Sequence, residues 1–397
     1  MRLSARTRTV AALGSAQTLA WASTYYLPAM LAVPMARDLG VSVPTVFAAF
    51  SFALIVSALL GPKAGAAIDR LGGRPVLTMT NIIFAAGLVA LGLSNGVWGL
   101  FAAWALLGIG MGSGLYEAAF ATLVRLYGKE ARNSITGITL IAGFASTVGW
   151  PLTTYLEANF GWRDACFTWA ALQLVLGLPL NLLLPRVSTA PVVTLVASTT
   201  PTHSSARIPK AIRWQTTVLS FVFAVTAFIS TAMAAHLPQL MLAAGATLAT
   251  AVLVGTLIGP SQVGARLLEF GVLQKVHPLL SARLAASLHP LGVVVLALAG
   301  PPSAVLFGVL HGAGNGILTI SKGTLPLAFF GPQGYGHLQG VLMVPARVAG
   351  ALAPWVFGLV LDRWGAGALA VSGTVGALAS VALFMLPTPG ASRLQRG

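Results

Sequence analysis

Apolar residues run along this chain in stretches of about twenty or more, with polar residues gathered in short breaks between them. A helix needs ~20 such residues to span a ~30 Å hydrocarbon layer, so each stretch predicts a membrane-crossing helix. Twelve stretches qualify, at about 11–35, 44–67, 76–95, 97–124, 134–158, 164–184, 214–243, 247–271, 279–300, 302–327, 338–361 and 366–387. Between the sixth and the seventh, residues 185–213 are rich in Ser, Thr and Pro and carry Arg186, Arg207, Lys210 and Arg213. That segment predicts a polar linker dividing an N-terminal six-helix bundle, 1–184, from a C-terminal one, 214–397. The predicted fold class is an all-α membrane protein of twelve transmembrane helices in two pseudo-symmetric bundles.

The halves repeat in parallel. YYLPAML (25–31) is echoed by AHLPQLM (235–241), and Gly61-Pro62 by Gly259-Pro260. Gly128, Gly137 and Pro151 recur in the same order as Gly331, Gly340 and Pro354. An ordered series at nearly constant offset indicates a duplicated unit, and such repeats place a substrate site near the bilayer midplane, between the halves.

Composition agrees with a chain dissolved in lipid. Of 397 residues 56% are hydrophobic and 8% charged, against about 25% charged in soluble domains, and the mean hydropathy is +0.86. The net charge of +15 sits in the loops, so it reports membrane orientation rather than a nucleic-acid partner. Arg2, Arg6, Arg8, Arg70, Arg74, Arg125, Lys129, Arg132, Lys275, Arg283, Arg393, Arg396 and the linker cations all fall on one side of the twelve-span scheme; Arg37, Arg163 and Arg363 fall on the other. The positive-inside rule then places both termini and the linker in the cytoplasm of a bacterial inner membrane. The basic-then-apolar N-terminus imitates a signal peptide, but its apolar run is too long and reads as an uncleaved first span. The single cysteine, Cys166, leaves neither an internal disulfide nor a cysteine metal site.

GPKAGAAIDRLGGRPVL (61–77) resembles the loop 2–3 signature of the major facilitator superfamily, with Gly65, Asp69, Arg70, Gly72 (or Gly73) and Arg74 matching and one extra residue between the arginines. The resemblance covers essentially the whole chain. It implies a gating or structural role for Asp69, Arg70 and Arg74, with Gly65 allowing close helix contact. GMGSGLYEAAFATLVRLYGKEARNSITGI and the turn Gly161-Trp162-Arg163 resemble monocarboxylate, oxalate/formate and cyanate-type porters. Those porters often hold a substrate carboxylate with an arginine in the eighth helix, which implies that role for Arg266. Two departures stand out: Arg266 is followed by Leu-Leu-Glu269-Phe-Gly271 rather than R-P-x-x-G, and Trp150 separates Gly149 from Pro151 where an antiporter signature has Gly-Pro. Exchange with a second solute is therefore not implied.

Charges inside the spans carry the candidate chemistry, because an idle ion there costs about 3 kcal/mol or more. Arg266 reads either as an anion site or as half of a pair with Glu269, three residues on; for Glu269 the gating or structural role is expected. Arg347 reads as a second substrate contact or as a salt bridge to Glu117 or Glu269. Glu117 is the candidate proton carrier, or the partner of Arg347 or Arg266. Tyr26, Tyr116, Gln262, Asn315 and His236 could hydrogen-bond a ligand or simply join helices. Lys63 and Lys322 are expected to snorkel to the cytoplasmic surface, and His311 to pack. No HExxH, GxSxG, P-loop or CxxC is present, so the chain reads as a transporter rather than an enzyme, without cofactor or metal. The reading is a monomeric secondary active transporter of a small solute, a small organic anion by the surplus of cations over carboxylates, coupled to protons in symport. The alternatives are a multidrug or toxic-compound efflux pump of the same superfamily and a non-transporting sensor of the same fold.

Overall fold

The computed structural model describes residues 4–186 and 210–387, so most of the predicted linker lies outside the described residues, with Arg2, Arg207, Arg393 and Arg396. Sixteen α-helices account for nearly all of the rest. The first bundle comprises α1 (Ala5–Ser23), α2 (Leu27–Leu39), α3 (Val43–Leu71), α4 (Gly73–Gly92), α5 (Gly96–Gly114), α6 (Tyr116–Tyr127), α7 (Arg132–Ala142), α8 (Ala145–Phe160), α9 (Trp162–Leu172) and α10 (Leu178–Leu182). The second comprises α11 (Lys210–Ala243), α12 (Leu248–Gly271), α13 (Pro278–Ala299), α14 (Ala304–Phe330), α15 (Tyr335–Trp364) and α16 (Ala368–Phe384). Among the described residues nine helical stretches are long and apolar enough to cross a membrane. Two of these, Gly96–Phe160 and Tyr335–Phe384, each fold into two passes, and α1 with α2 supplies the first pass, giving twelve. The first pass begins at Ala5 rather than near residue 11, because Ser4 caps it by accepting from the Thr7 N–H.

The halves differ in one respect that the repeat does not reveal. Every pass of the second bundle is a continuous α-helix, whereas three passes of the first are broken in mid-course, between α1 and α2, α5 and α6, and α7 and α8, and the sixth runs through a π-helical turn, Gln173–Gly177, between α9 and α10. Side chains satisfy the backbone at each break. Thr24 Oγ1 donates to Ala20 O at 2.6 Å, and Pro28, with no N–H to satisfy, opens α2. Gln17 Nε2 donates to Gly114 O at 2.7 Å, covering a carbonyl freed at the end of α5. Thr18 Oγ1 donates to Ile141 O at 3.3 Å in the last turn of α7. Pro238, the repeat's counterpart of Pro28, sits inside an unbroken α11.

Each bundle has its own apolar core, built around Trp104, Trp169 and Phe84 in the first and Phe223, Phe307 and Phe357 in the second. A buried polar chain ties the first together: Asn181 Nδ2 donates to Asn81 Oδ1 (2.7 Å), Asn81 Nδ2 to Gln173 Oε1 (2.7 Å), and Gln173 Nε2 to Ser23 Oγ (2.8 Å). Glycine brings the bundles together. A Cβ at Gly65 would strike the Gly336 carbonyl, and one at Gly340 would lie 2.5 Å from Pro62 Cα, so α3 and α15 run backbone to backbone.

Candidate functional site

Arg266 leaves α12 toward α7 and is 6% exposed. Its Nη1 donates to Thr139 O at 3.1 Å, its Nη2 to Gln262 Oε1 at 3.3 Å and its Nε to Gly316 O at 3.5 Å. Its partners are thus neutral oxygens, and no carboxylate among the described residues forms an ion pair with it. Thr139 lies in the last turn of α7, so the break after Ala142 aims the negative end of a half-helix at the guanidinium. The expected pair with Glu269 does not form. Helical side chains lean toward the N-terminus, which carries Arg266 back to Gln262, while Glu269 meets Arg132 from the first bundle at 2.8 Å. Spacing of i+3 gave proximity and not direction.

Arg347 is the other deep guanidinium, and it is paired: Nη2 lies 3.0 Å from Glu117 Oε2, and Nη1 donates to Ser57 O. Glu117 occupies the first turn of α6, immediately after the break at Leu115, where the helix dipole favours a carboxylate. The pair is partly shielded, with side chains 10% and 19% exposed. Lys322 is half-buried in α14, within electrostatic reach of Glu117 but in no ion pair among the described residues. It stands in the seam between the bundles, not on the surface where snorkelling would take it; Lys63 is exposed, as that reading expects.

The breaks also gather aromatic rings. Trp21 lies 4.8 Å from Tyr116, 4.9 Å from Tyr25 and 6.1 Å from Tyr26, centroid to centroid, and Trp150 meets Tyr26 edge-on at 6.0 Å. Arg266 reaches the break between α7 and α8, where a Cβ at Gly143 would meet its Nη1, and Trp150 lies two turns further along, in α8. Trp21, Tyr25 and Trp150 were missed from sequence, although Trp21 and Tyr25 share a helix face at i, i+4 and Trp150 interrupts the Gly-Pro pair.

The remaining candidates lie elsewhere. His236 Nε2 pairs with Pro354 O at 2.7 Å, joining α11 to α15. Asn315 lines a separate small pocket in the second bundle, beside His289 and His311, whose Nδ1 atoms are 3.1 Å apart. Asp69 accepts from the backbone N–H of Gly336 and of His337, both at 2.9 Å, at the start of α15. Arg70 is exposed and Arg74 half-buried, neither in an ion pair among the described residues.

Asp69, Arg132 and Glu269 close the bundles at the end that carries the basic loops. Arg132 donates to the carbonyls of Leu273, Gln274 and Val276 besides Glu269, filling the C-terminal end of α12. Toward the other end the same face of α12 is uncrowded. Gly259 and Gly255 lie seven and eleven residues before Arg266, within about 20° of the same helix face. A Cβ at either would have nothing within 4 Å. The face that touches α7 at Arg266 therefore parts from it two turns further along.

The major facilitator superfamily profile matches residues 13–354. A 38 kDa protein in the 23S RNA operon of Thermoproteus tenax is 27% identical over 356 residues, 89% of this chain and 88% of that protein. Mouse monocarboxylate transporter 14 is 28% identical over 125 residues, 31% of this chain and 24% of that one. The crystal structure of the human organic anion transporter MFSD10 superposes with a TM-score of 0.69 at 16% identity, covering 95% of this chain and 99% of that one, a likeness of fold.

Proposed function

Because the chain belongs to the major facilitator superfamily, a family of transporters, we propose that it moves a small organic anion by alternating access, coupled to a proton through Glu117. One observation carries the substrate sign: Arg266 is buried between the bundles and held by neutral oxygens alone. A charge so placed calls for an anion. A carboxylate arriving from the open end offers charge-assisted bonds, roughly twice as strong as those to a carbonyl. It would displace Thr139 O, a contact across the seam, and so change the balance between the two states of the bundles. With the basic end taken as cytoplasmic, the arrangement described here is the outward-open state.

Glu117 supplies the coupling. Ionised, it neutralises Arg347 across the seam; protonated, it releases Arg347 and loosens α6 from α15. The efflux reading draws support from the aromatic cluster, yet Arg266 and Lys322, in no ion pair among the described residues, oppose a cationic drug. Uptake of organic anions into proteoliposomes, with and without a pH gradient, tests the reading. Saturable uptake that a gradient stimulates and that Arg266→Ala abolishes supports it. Transport of cationic dyes with no anion uptake overturns it.

A further inference from the structure

Deepening the anion reading, on which it rests, we propose that the substrate is a monocarboxylate with a flat apolar body, an aryl or conjugated alkenyl carboxylate. Its carboxylate would sit on Arg266 and its body against Tyr26 and Trp150. Three independent observations converge on this.

The first is charge. Of the two deep guanidinium groups, Arg347 is neutralised by Glu117 at 3.0 Å and Arg266 is not neutralised. The aromatic wall therefore faces one unmatched guanidinium, while Lys322, likewise in no ion pair among the described residues, is within electrostatic reach of the Glu117 carboxylate, which suits one carboxylate rather than two.

The second is hydrogen bonding. The hydroxyls of Tyr26 and Tyr116 have no hydrogen-bond partner among the described residues, and their rings pack on Trp21 and Trp150 beside the α7–α8 break that Arg266 reaches. Trp21 Nε1, among the same rings, is buried with no partner among the described residues. Of the three, only the buried Trp21 Nε1 is an unsatisfied donor that asks for an acceptor; the two hydroxyls are half-buried and free to donate. An ionised carboxylate accepts at two oxygens and donates nothing, which fits a guanidinium flanked by idle hydroxyls.

The third is shape. Trp150 stands edge-on to Tyr26 at an interplanar angle of 86° and remains 42% exposed. One flank of the indole is therefore covered by Tyr26 and another is free. Ring faces bind flat apolar groups by offset or edge contacts. They offer little to a hydroxylated or doubly charged solute, which needs a polar partner for each group. The insertion of Trp150 between Gly149 and Pro151 places this ring where the sequence pattern has none.

The test is equilibrium binding of radiolabelled cinnamate, benzoate, acetate and benzamide to the full chain in detergent. The parent is compared with Arg266→Ala, Trp150→Leu and Trp150→Phe, each accepted on monodisperse elution; should Trp150→Leu not be recovered, Tyr26→Leu replaces it. The expected result is cinnamate and benzoate tighter than acetate by at least about tenfold. That ratio should narrow about 3- to 10-fold in Trp150→Leu, the size of an aromatic contact, and be restored in Trp150→Phe. Acetate binding as tightly as cinnamate, with both lost in Arg266→Ala, overturns the aromatic body and leaves the anion reading standing. Benzamide binding as tightly as benzoate, or no saturable binding of any carboxylate, overturns both.

Discussion

A guanidinium whose acceptors are all neutral is a poised cation, and Arg266 is the residue on which the proposed function turns. Lysine keeps the charge but loses the planar fork that matches a carboxylate. Losing one charge-assisted bond, worth about 1.5–3 kcal/mol, weakens anion binding about tenfold or more. Arg266→Lys should therefore bind the anion weakly and Arg266→Ala not at all, both measured on monodisperse protein. Equal affinity in Arg266→Ala would make this residue a staple of α7, and Arg347 the leading anion site. Glu117 has a different signature. Glu117→Gln should abolish uptake driven by a pH gradient while substrate counterflow persists, since counterflow needs no net proton movement. Unchanged gradient-driven uptake removes Glu117 from the coupling. The presence of Arg266, Glu269, Arg347 and Glu117 within spans was plain in the sequence, and Glu117 was one of the two partners open to Arg347, the one the structure shows. Arg132 as the partner of Glu269 was not legible, because the two lie more than a hundred positions apart and no local spacing encodes such a choice.

At the scale of elements, the twelve passes were legible because hydrocarbon demands long apolar runs, and α3, α12 and α13 start and stop near their predicted bounds. The breaks in the first bundle were not legible, since YYLPAML is broken and AHLPQLM is not. At the first break Thr24 bonds Ala20 O within its own turn, whereas the second relies on Gln17 reaching Gly114 O from another pass, and that depends on neighbours. Close approach is also an element-level property. Gly65→Ala should lower the melting temperature and loosen α3 from α15, because its methyl meets the Gly336 carbonyl. Gly264→Ala, with nothing within 4 Å, should be neutral or stabilising by up to about 1 kcal/mol of helix propensity. Equal effects would show that α3 and α15 are not in backbone contact. The start of α13 adds a pH dependence. His277 Nδ1 accepts from the Leu279 N–H at 3.1 Å, and burial, with Arg132 and Arg283 nearby, holds its pKa below the ordinary value of about 6.5. As pH falls through that ordinary value the unfolded chain takes up this proton before the folded one. The stability from the neutral cap is therefore present above about pH 6.5 and lost as pH falls toward the folded pKa. Melting curves should show a loss below that pH which His277→Asn, a cap that does not titrate, removes; an identical acid loss in His277→Asn excludes the cap.

For the whole molecule the decisive quantity is the balance between two arrangements of the bundles. Asp69 on the start of α15 and Arg132 on the end of α12 hold the basic end shut, while Gly255 and Gly259 mark the open face. Arg132→Ala removes four donated bonds at once and leaves Glu269 buried without its partner. Because Arg132 and Glu269 act as one unit, Glu269→Gln added to Arg132→Ala should cost less than the two singles combined. Cys166, buried in the first bundle, is a quiet background for a reporter. Gly259→Cys in right-side-out vesicles should react with an impermeant maleimide from outside, if the basic end is cytoplasmic and this is the populated state. Adding Arg132→Ala should slow that reaction, because weakening the shut end raises the population in which the open end has closed. The anion should act on the same equilibrium, so its effect on labelling must vanish with Arg266→Ala. Labelling of Gly259→Cys only from the cytoplasmic face would reverse the orientation. Labelling indifferent to Arg132→Ala would mean that this latch does not set the balance, and that Asp69 on α15 holds the basic end alone.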